Sequence, residues 1–184
     1  MKFGIISDIH GNSPALKAVL PRLLDEVDRV LFLGDLCGYY PFVDECVEIW
    51  DQDRISGVRG NHDQVFLDCL IEGTDPSTDY QTKYGSSLNQ DRQTFSSSSL
   101  SLLQALPTSL TLDFSGLTIA LFHGTPWDCL NGRVYPDYND WDRFNNVSAD
   151  IVLMGHTHYP FTKFHSDKTI INPGSVGQPR DRSG

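Results

Sequence analysis

The chain has 184 residues, enough for one domain with a substantial core, and its 39% hydrophobic and 21% charged residues are those of an ordinary globular protein. Fourteen basic against 24 acidic side chains give a net charge of −10, which argues against a nucleic-acid polymer as partner, because such a backbone is met by a basic face. No run approaches the roughly 20 apolar residues of a membrane span, and no basic segment leads into a long apolar one, so a cytoplasmic protein with no membrane partner is expected.

The first apolar run, Phe3 to Ile6, reads as a buried strand that stops at Ser7, Asp8, Ile9 and His10. Side chains two apart on a strand share a face, so Asp8 and His10 are expected to point the same way and grip one ion. Gly11-Asn12-Ser13-Pro14 is a turn into a helix, with Ser13 as its cap and Pro14 at the first helical position. Leu16, Val19, Leu20, Leu23, Leu24 and Val27 supply the apolar face, and Pro21 predicts a kink or an early end. Val30 to Leu33 is uniformly apolar, as in a strand covered on both faces, and strand, helix and strand in this order make a right-handed crossover.

A second helix is expected through Asp44 to Trp50, then a short strand from Ile55 leading to Asn61, then a third helix over Gln64 to Ile71. From Glu72 to Ser99 the sequence turns polar and includes four consecutive serines, and it is read as a solvated excursion in preference to a substrate lid. Leu100, Leu102, Leu103 and Leu106 form a short helix stopped by Pro107. Leu110 to Phe114 and Leu117 to Phe122 flank Ser115-Gly116 as a hairpin. The Trp127 to Asn146 stretch holds a loop and a short helix around Trp141 and Phe144, and Ile151 to Met154 and Thr169 to Asn172 are the last two strands. No repeat or linker divides the chain, so residues 1–184 are expected to form a single domain.

Each of five apolar runs ends in residues that bind metals. The set is Asp8, His10, Asp35, Asn61, His62, His123, His156 and His158, which takes five of the six histidines. Ligands gather outside the carboxyl ends of strands in open α/β sheets, which is where these residues fall. A donor set of nitrogen and oxygen without thiolate suits manganese, iron, zinc, nickel or cobalt, and is too rich in imidazole for calcium or magnesium alone. One four-ligand site would leave half of these residues unexplained, so two divalent ions about 3.5 to 4 Å apart are expected, with Asp35 between them and one of its oxygens on each. Such a centre attracts and polarises a phosphate ester. The four cysteines have no Cys-X-X-Cys spacing and are expected as packed thiols, Cys37 among them. Tyr39, Tyr40 and Trp127 are read as packing residues before pocket residues, Arg180 as a solvated tail residue, and His165 as a surface residue with no partner.

The motifs Asp8-X-His10, Gly34-Asp35, Gly60-Asn61-His62-Asp63, His123-Gly124 and Gly155-His156-Thr157-His158 resemble, in order, the five motifs of the calcineurin-like metallophosphoesterases. Leu106-Pro107 and Pro173-Gly174-Ser175 are similar to the small bacterial and archaeal phosphodiesterases of that superfamily. The resemblance implies an α/β fold, a four-layer α/β/β/α sandwich of two mixed β-sheets flanked by helices. It assigns Asp8, His10, Asp35 and His158 to one metal, and Asp35, Asn61, His123 and His156 to the other. His62 would be catalytic, stabilising the transition state or protonating the leaving oxygen.

The activity implied is metal-dependent hydrolysis of small-molecule phosphodiesters. A phosphomonoesterase, a hydrolase of dinucleoside polyphosphates, and a non-catalytic scaffold of the same fold stand as alternatives. Two departures argue against a protein phosphatase: no Asp-Arg-Gly follows the Asp35 motif, and Asp63 stands where those enzymes have glutamate. They also leave open what orients His62. Related phosphodiesterases often continue past Pro-Gly-Ser with another strand, so this chain is expected to be either truncated or built with a shorter edge.

Overall fold

The computed structural model describes residues 1–181. A parallel sheet comes first in the chain, from β1 (Phe3–Ile6), β2 (Arg29–Phe32) and β3 (Ile55–Gly57), in the order β1-β2-β3. The second sheet is mixed and uses β4 (Ser109–Phe114), β5 (Leu117–Phe122), β6 (Ile151–Leu153), β7 (Phe161–His165) and β8 (Lys168–Asn172), in the order β4-β5-β6-β8-β7. The four-layer α/β arrangement stands, with mixed pairing confined to the five-stranded sheet.

Alternation along the strands builds the layers. Val30 and Phe32 of β2 face a helical layer, while Leu31 and Leu33 turn the other way to meet Ile119, Leu121 and Leu153 between the sheets. From β5 and β6, Ala120 and Val152 face outward onto a third cluster around Phe144, Trp127 and Trp141. The first helical layer holds α1 (Ser13–Glu26), α2 (Val43–Val47), α3 (Asn61–Glu72), α4 (Thr78–Tyr84), α5 (Ser87–Thr94) and α6 (Ser97–Ala105). On the far side the 3-10 helix Trp141–Asn146 and the loop before it cover the second sheet. Among the described residues no helix is long and apolar enough to cross a membrane. The four thiols are free, and those of Cys37, Cys46 and Cys69 are buried.

Several expectations are corrected. α1 runs through Pro21 to Glu26, because burial of Leu16 and Leu20 on the sheet outweighs one missing hydrogen bond. Its cap is Asn12, whose side chain accepts from the Ala15 backbone N–H, in place of Ser13. β7 was hidden because the alternation of Phe161 to His165 leaves every residue partly or fully exposed, and its pairing with β8 supplies the order. The stretch from Glu72 to Ser99 is structured: α4 and α5 pack inward through Tyr80 and Leu88. His165 has a partner, with Nε2 3.0 Å from Asp142 Oδ1 on the 3-10 helix.

Candidate metal centre

Asp8 and His10 do not lie on a strand, since β1 ends at Ile6 and both residues have left-handed φ values of +53° and +55°. Their loop is held against the one after β2 by Asp8 N–H to Gly34 O, His10 N–H to Asp35 O and Gly11 N–H to Leu36 O. Asp35, His156 and His158 are also left-handed, so these five account for most of the seven non-glycine residues of that kind among the described residues. Each costs about 1 kcal/mol or more, and the surrounding loops hold the cost where five side chains must turn into one centre.

Asn61 and His62 occupy the first turn of α3 and not a strand end. Gly60 before them lies flat on the Asp35 loop, where a β-carbon would come within 2.0 Å of Asp35 Oδ1. Asp63, three residues on, clasps this junction: Oδ2 accepts from the backbone N–H of Asp35 and of Gly60, and Oδ1 from that of Cys37. Burial raises the Asp63 carboxyl to about 6, with Asp35 adding to the shift and the backbone donors opposing it. The acid three residues after a helix cap was a readable signal for this clasp.

The structure brings all eight sequence-predicted side chains around one point. Asp8, His10 and His158 form one grouping, His10, Asp35 and His62 a second, and Asp35, His123 and His156 a third, each with ligand atoms within 4.8 Å of one another. His10 Nε2 and His158 Nε2 are 3.0 Å apart, and Asp8 Oδ1 is 3.2 Å from the latter. On the other side, His123 Nε2 lies 3.0 Å from Asn61 Oδ1, 3.1 Å from His156 Nδ1 and 3.2 Å from Asp35 Oδ2. Asp35 does not offer both oxygens: Oδ1 accepts the His62 backbone N–H, and Oδ2 alone faces His123, His10 and His62, at 3.2, 3.9 and 4.0 Å. His62 is thus also within ligand reach.

The outer ring nitrogens are pinned. His10 Nδ1 meets Cys37 O, His123 Nδ1 meets Leu33 O and His158 Nδ1 meets Gln178 O, at 3.0, 2.7 and 2.7 Å. Donation through Nδ1–H turns each Nε2 inward, the arrangement that fixes a metal-binding orientation of the ring. Pro173-Gly174-Ser175 matters here because Ser175 and Gly177 bond Asp8 O, which carries Gln178 to His158. Burial holds His10 at about 4, His156 at about 3 and His62 below its ordinary value. His123 goes the other way, to about 9: burial opposes its charge, but the charge and hydrogen bond of Asp35 outweigh it. Asp35 and Asp8 stay ionised, the facing imidazoles overcoming the cost of burial. Asp8 Oδ1 and His156 Nε2 are buried without a hydrogen-bond partner. Neutral imidazoles at His10, His62 and His156, ionised carboxylates at Asp8 and Asp35 and an orphaned inward carboxylate oxygen fit a divalent metal, and a bound ion would displace the proton that His123 holds.

A cavity of about 400 Å³ opens over the centre. Tyr39 and Arg180 line it, with Arg180 donating to the Tyr39 hydroxyl at 3.2 Å, so neither is the packing or tail residue expected. Trp127 instead packs on Phe144, and Tyr40 is exposed. Four lining or flanking residues escaped the sequence reading: Lys83, Tyr84, Arg133 and Tyr135. So did Tyr80, whose hydroxyl hydrogen-bonds His62 Nδ1. Tyr80 and Tyr84, four apart, share a face of α4, a spacing visible in the sequence but without a sign of what it would meet.

A family model described as a calcineurin-like phosphoesterase superfamily domain matches residues 1–184. An uncharacterized protein of Methanocaldococcus jannaschii is 35% identical over 199 residues, covering 96% of this chain and 76% of that protein. A metallophosphoesterase from Sphaerobacter thermophilus superposes with a TM-score of 0.75 at 29% identity, over 98% of this chain and 79% of the other. A hypothetical protein from Pyrococcus horikoshii has the same fold, with a TM-score of 0.77 at 19% identity over 96% and 77% of the two chains.

Proposed function

From a chain that belongs to the calcineurin-like phosphoesterase superfamily, hydrolases of phosphoric esters, we propose a dinuclear-metal phosphodiesterase acting on small molecules. The observation that carries this reading is the position of Asp35 Oδ2, which faces imidazoles of both outer groupings while Oδ1 is tied to the backbone. Asp8, His10, Asp35 and His158 would hold one ion, and Asp35, Asn61, His123 and His156 the other. Bound divalent ions at such a centre polarise the phosphoryl group and lower the pKa of water.

The chain's own residues supply the rest. His62 projects its Nε2 toward the centre, 4.0 Å from Asp35 Oδ2, and Tyr80 holds its other nitrogen. Burial keeps the Tyr80 phenol well above its ordinary range, so its hydroxyl remains protonated. Donation from that hydroxyl to Nδ1 places the His62 proton on Nε2, where it can hydrogen-bond the leaving oxygen or the charged transition state. The donor set without thiolate favours manganese, iron, zinc, nickel or cobalt. A scaffold of the same fold would not need buried donors aimed at one point, and their convergence favours the enzyme.

The test uses metal-stripped protein with manganese, zinc, nickel and magnesium restored separately, assayed on bis-p-nitrophenyl phosphate and p-nitrophenyl phosphate. Turnover that returns with metal, with the higher kcat/KM on the diester, is expected. Turnover indifferent to chelation, or none on either ester with metal restored, overturns the proposal.

A further inference from the structure

Tyr39 and Arg180 reach the wall of the cavity over the candidate centre from loops far apart in the chain, one after β2 and one after β8. Each is held where it stands. Gly38 lies against His10, where a β-carbon would come within 2.4 Å of Nδ1, and the Tyr40 N–H bonds His10 O, so the backbone on both sides of Tyr39 is fixed to that histidine. The Tyr39 ring meets the His10 ring edge-on, with centroids 4.7 Å apart, and its centroid is 6.4 Å from that of His158. Arg180 donates its backbone N–H to His158 O at 3.4 Å and its guanidinium to the Tyr39 hydroxyl at 3.2 Å, with Gln178 Oε1 a further acceptor at 3.5 Å. Both side chains thus stand on the side of the centre formed by Asp8, His10 and His158.

The chemistry of the contact gives it a direction. A guanidinium has donors only, so the phenol oxygen is the acceptor between the two residues and its own proton points elsewhere. A phenol is protonated near neutral pH, and a hydroxyl that accepts from a cation becomes a stronger donor. The wall therefore presents a polarised hydroxyl and a guanidinium side by side. A tyrosine that only packs needs no hydroxyl at a cavity, and a solvated arginine needs no anchor at both its backbone and its side chain. Two adjoining donors, one of them cationic, suit the oxygens of a phosphoryl group.

We propose that Tyr39 and Arg180 act as one substrate-binding unit on the non-bridging phosphoryl oxygens, and that the charge of Arg180 sets how well a monoester competes with a diester. This deepens the phosphodiesterase reading and rests on it. Near neutral pH a monoester carries close to two negative charges and a diester only one, so a guanidinium at the phosphoryl group favours the monoester. A neutral hydroxyl serves both esters alike. Because Arg180 orients that hydroxyl, loss of either residue weakens the contact that the other makes.

The test measures kcat/KM for bis-p-nitrophenyl phosphate and p-nitrophenyl phosphate on the manganese-loaded parent, Tyr39→Phe, Arg180→Ala and the double variant, with bound metal counted on each. Tyr39→Phe keeps the ring on His10 and should lower both values by about fivefold, the loss of one hydrogen bond. Arg180→Ala should lower the monoester-to-diester ratio by about fivefold and raise the inhibition constant of inorganic phosphate by about tenfold, the loss of a charge-assisted contact. The double variant should lose less than the product of the single losses. Free guanidinium ion should restore part of the monoester turnover of Arg180→Ala and leave the parent unchanged. Metal content should be the same throughout. A ratio and a phosphate inhibition unmoved by Arg180→Ala, single losses that multiply in the double variant, or a loss of bound metal that accounts for the effects, overturns the inference and leaves the phosphodiesterase intact. No turnover of the diester by the parent removes both.

Discussion

The Tyr80 hydroxyl hydrogen-bonds His62 Nδ1, tying a helix of the polar Glu72 to Ser99 stretch to the one histidine that the proposed metal sites leave free. Tyr39 and Tyr84 pack around the same ring, with centroids 5.7 and 4.6 Å away. If this contact sets the tautomer of His62, Tyr80→Phe should lower turnover by about tenfold, the usual cost of losing an orienting partner. The loss should be larger for alkyl leaving groups than for nitrophenolate, with metal content unchanged. An equal loss on both would assign Tyr80 to packing alone.

Asp63 accepts three backbone N–H groups at the junction of the Asp35 loop and α3, at 3.0, 3.0 and 2.8 Å. Asp63→Ala leaves those buried donors without partners and should cost about 3 kcal/mol or more in urea denaturation. Asp63→Asn keeps one acceptor oxygen and should fall between the two. A variant as stable as the parent would mean that the clasp is redundant.

Gly60 has φ −95°, which alanine adopts freely, so the effect of Gly60→Ala is steric. The added carbon would meet Asp35 Oδ1 at 2.0 Å and Asp35 N at 2.3 Å. Displacing that carboxylate should weaken manganese binding by about tenfold or more, read by titration calorimetry. Unchanged affinity would show that Asp35 can move without loss.

Asp91 is 2% exposed, with Oδ1 accepting from Val43 N–H and Oδ2 without a partner. Burial, with Asp44 nearby adding to it, raises its carboxyl from 3.8 to about 7. Between those values the folded chain holds a proton that the unfolded chain has lost, so this group's contribution to stability falls as pH rises through the window. Asp91→Asn should therefore be the more stable protein at pH 8, by on the order of 2 kcal/mol, with the gap narrowing toward pH 5. A gap that is constant with pH would place the carboxylate in water.

The sequence was legible where one physical rule governs. Uniformly apolar runs gave β1, β2, β5 and β6, and the ligand types after them located the centre. Local rules failed where distant contacts decide: Pro21 stays in α1 because the helix is buried on the sheet, and Asp8 and His10 converge through left-handed loop residues instead of strand alternation. The cavity wall was least legible. Lys83, Arg133 and Tyr135 have no local signature, and their meeting follows only from packing of the loops and of α4 against the centre.

The most direct test of the account is metal counting on stripped and manganese-reloaded protein, with diester turnover measured on the same samples, for the parent chain and Asp35→Asn. The shared position of Asp35 Oδ2 predicts about two ions per parent chain, and loss of bound metal together with nearly all turnover in the variant. A parent chain that binds no metal, or an Asp35→Asn chain that turns over at the parent rate, would contradict it.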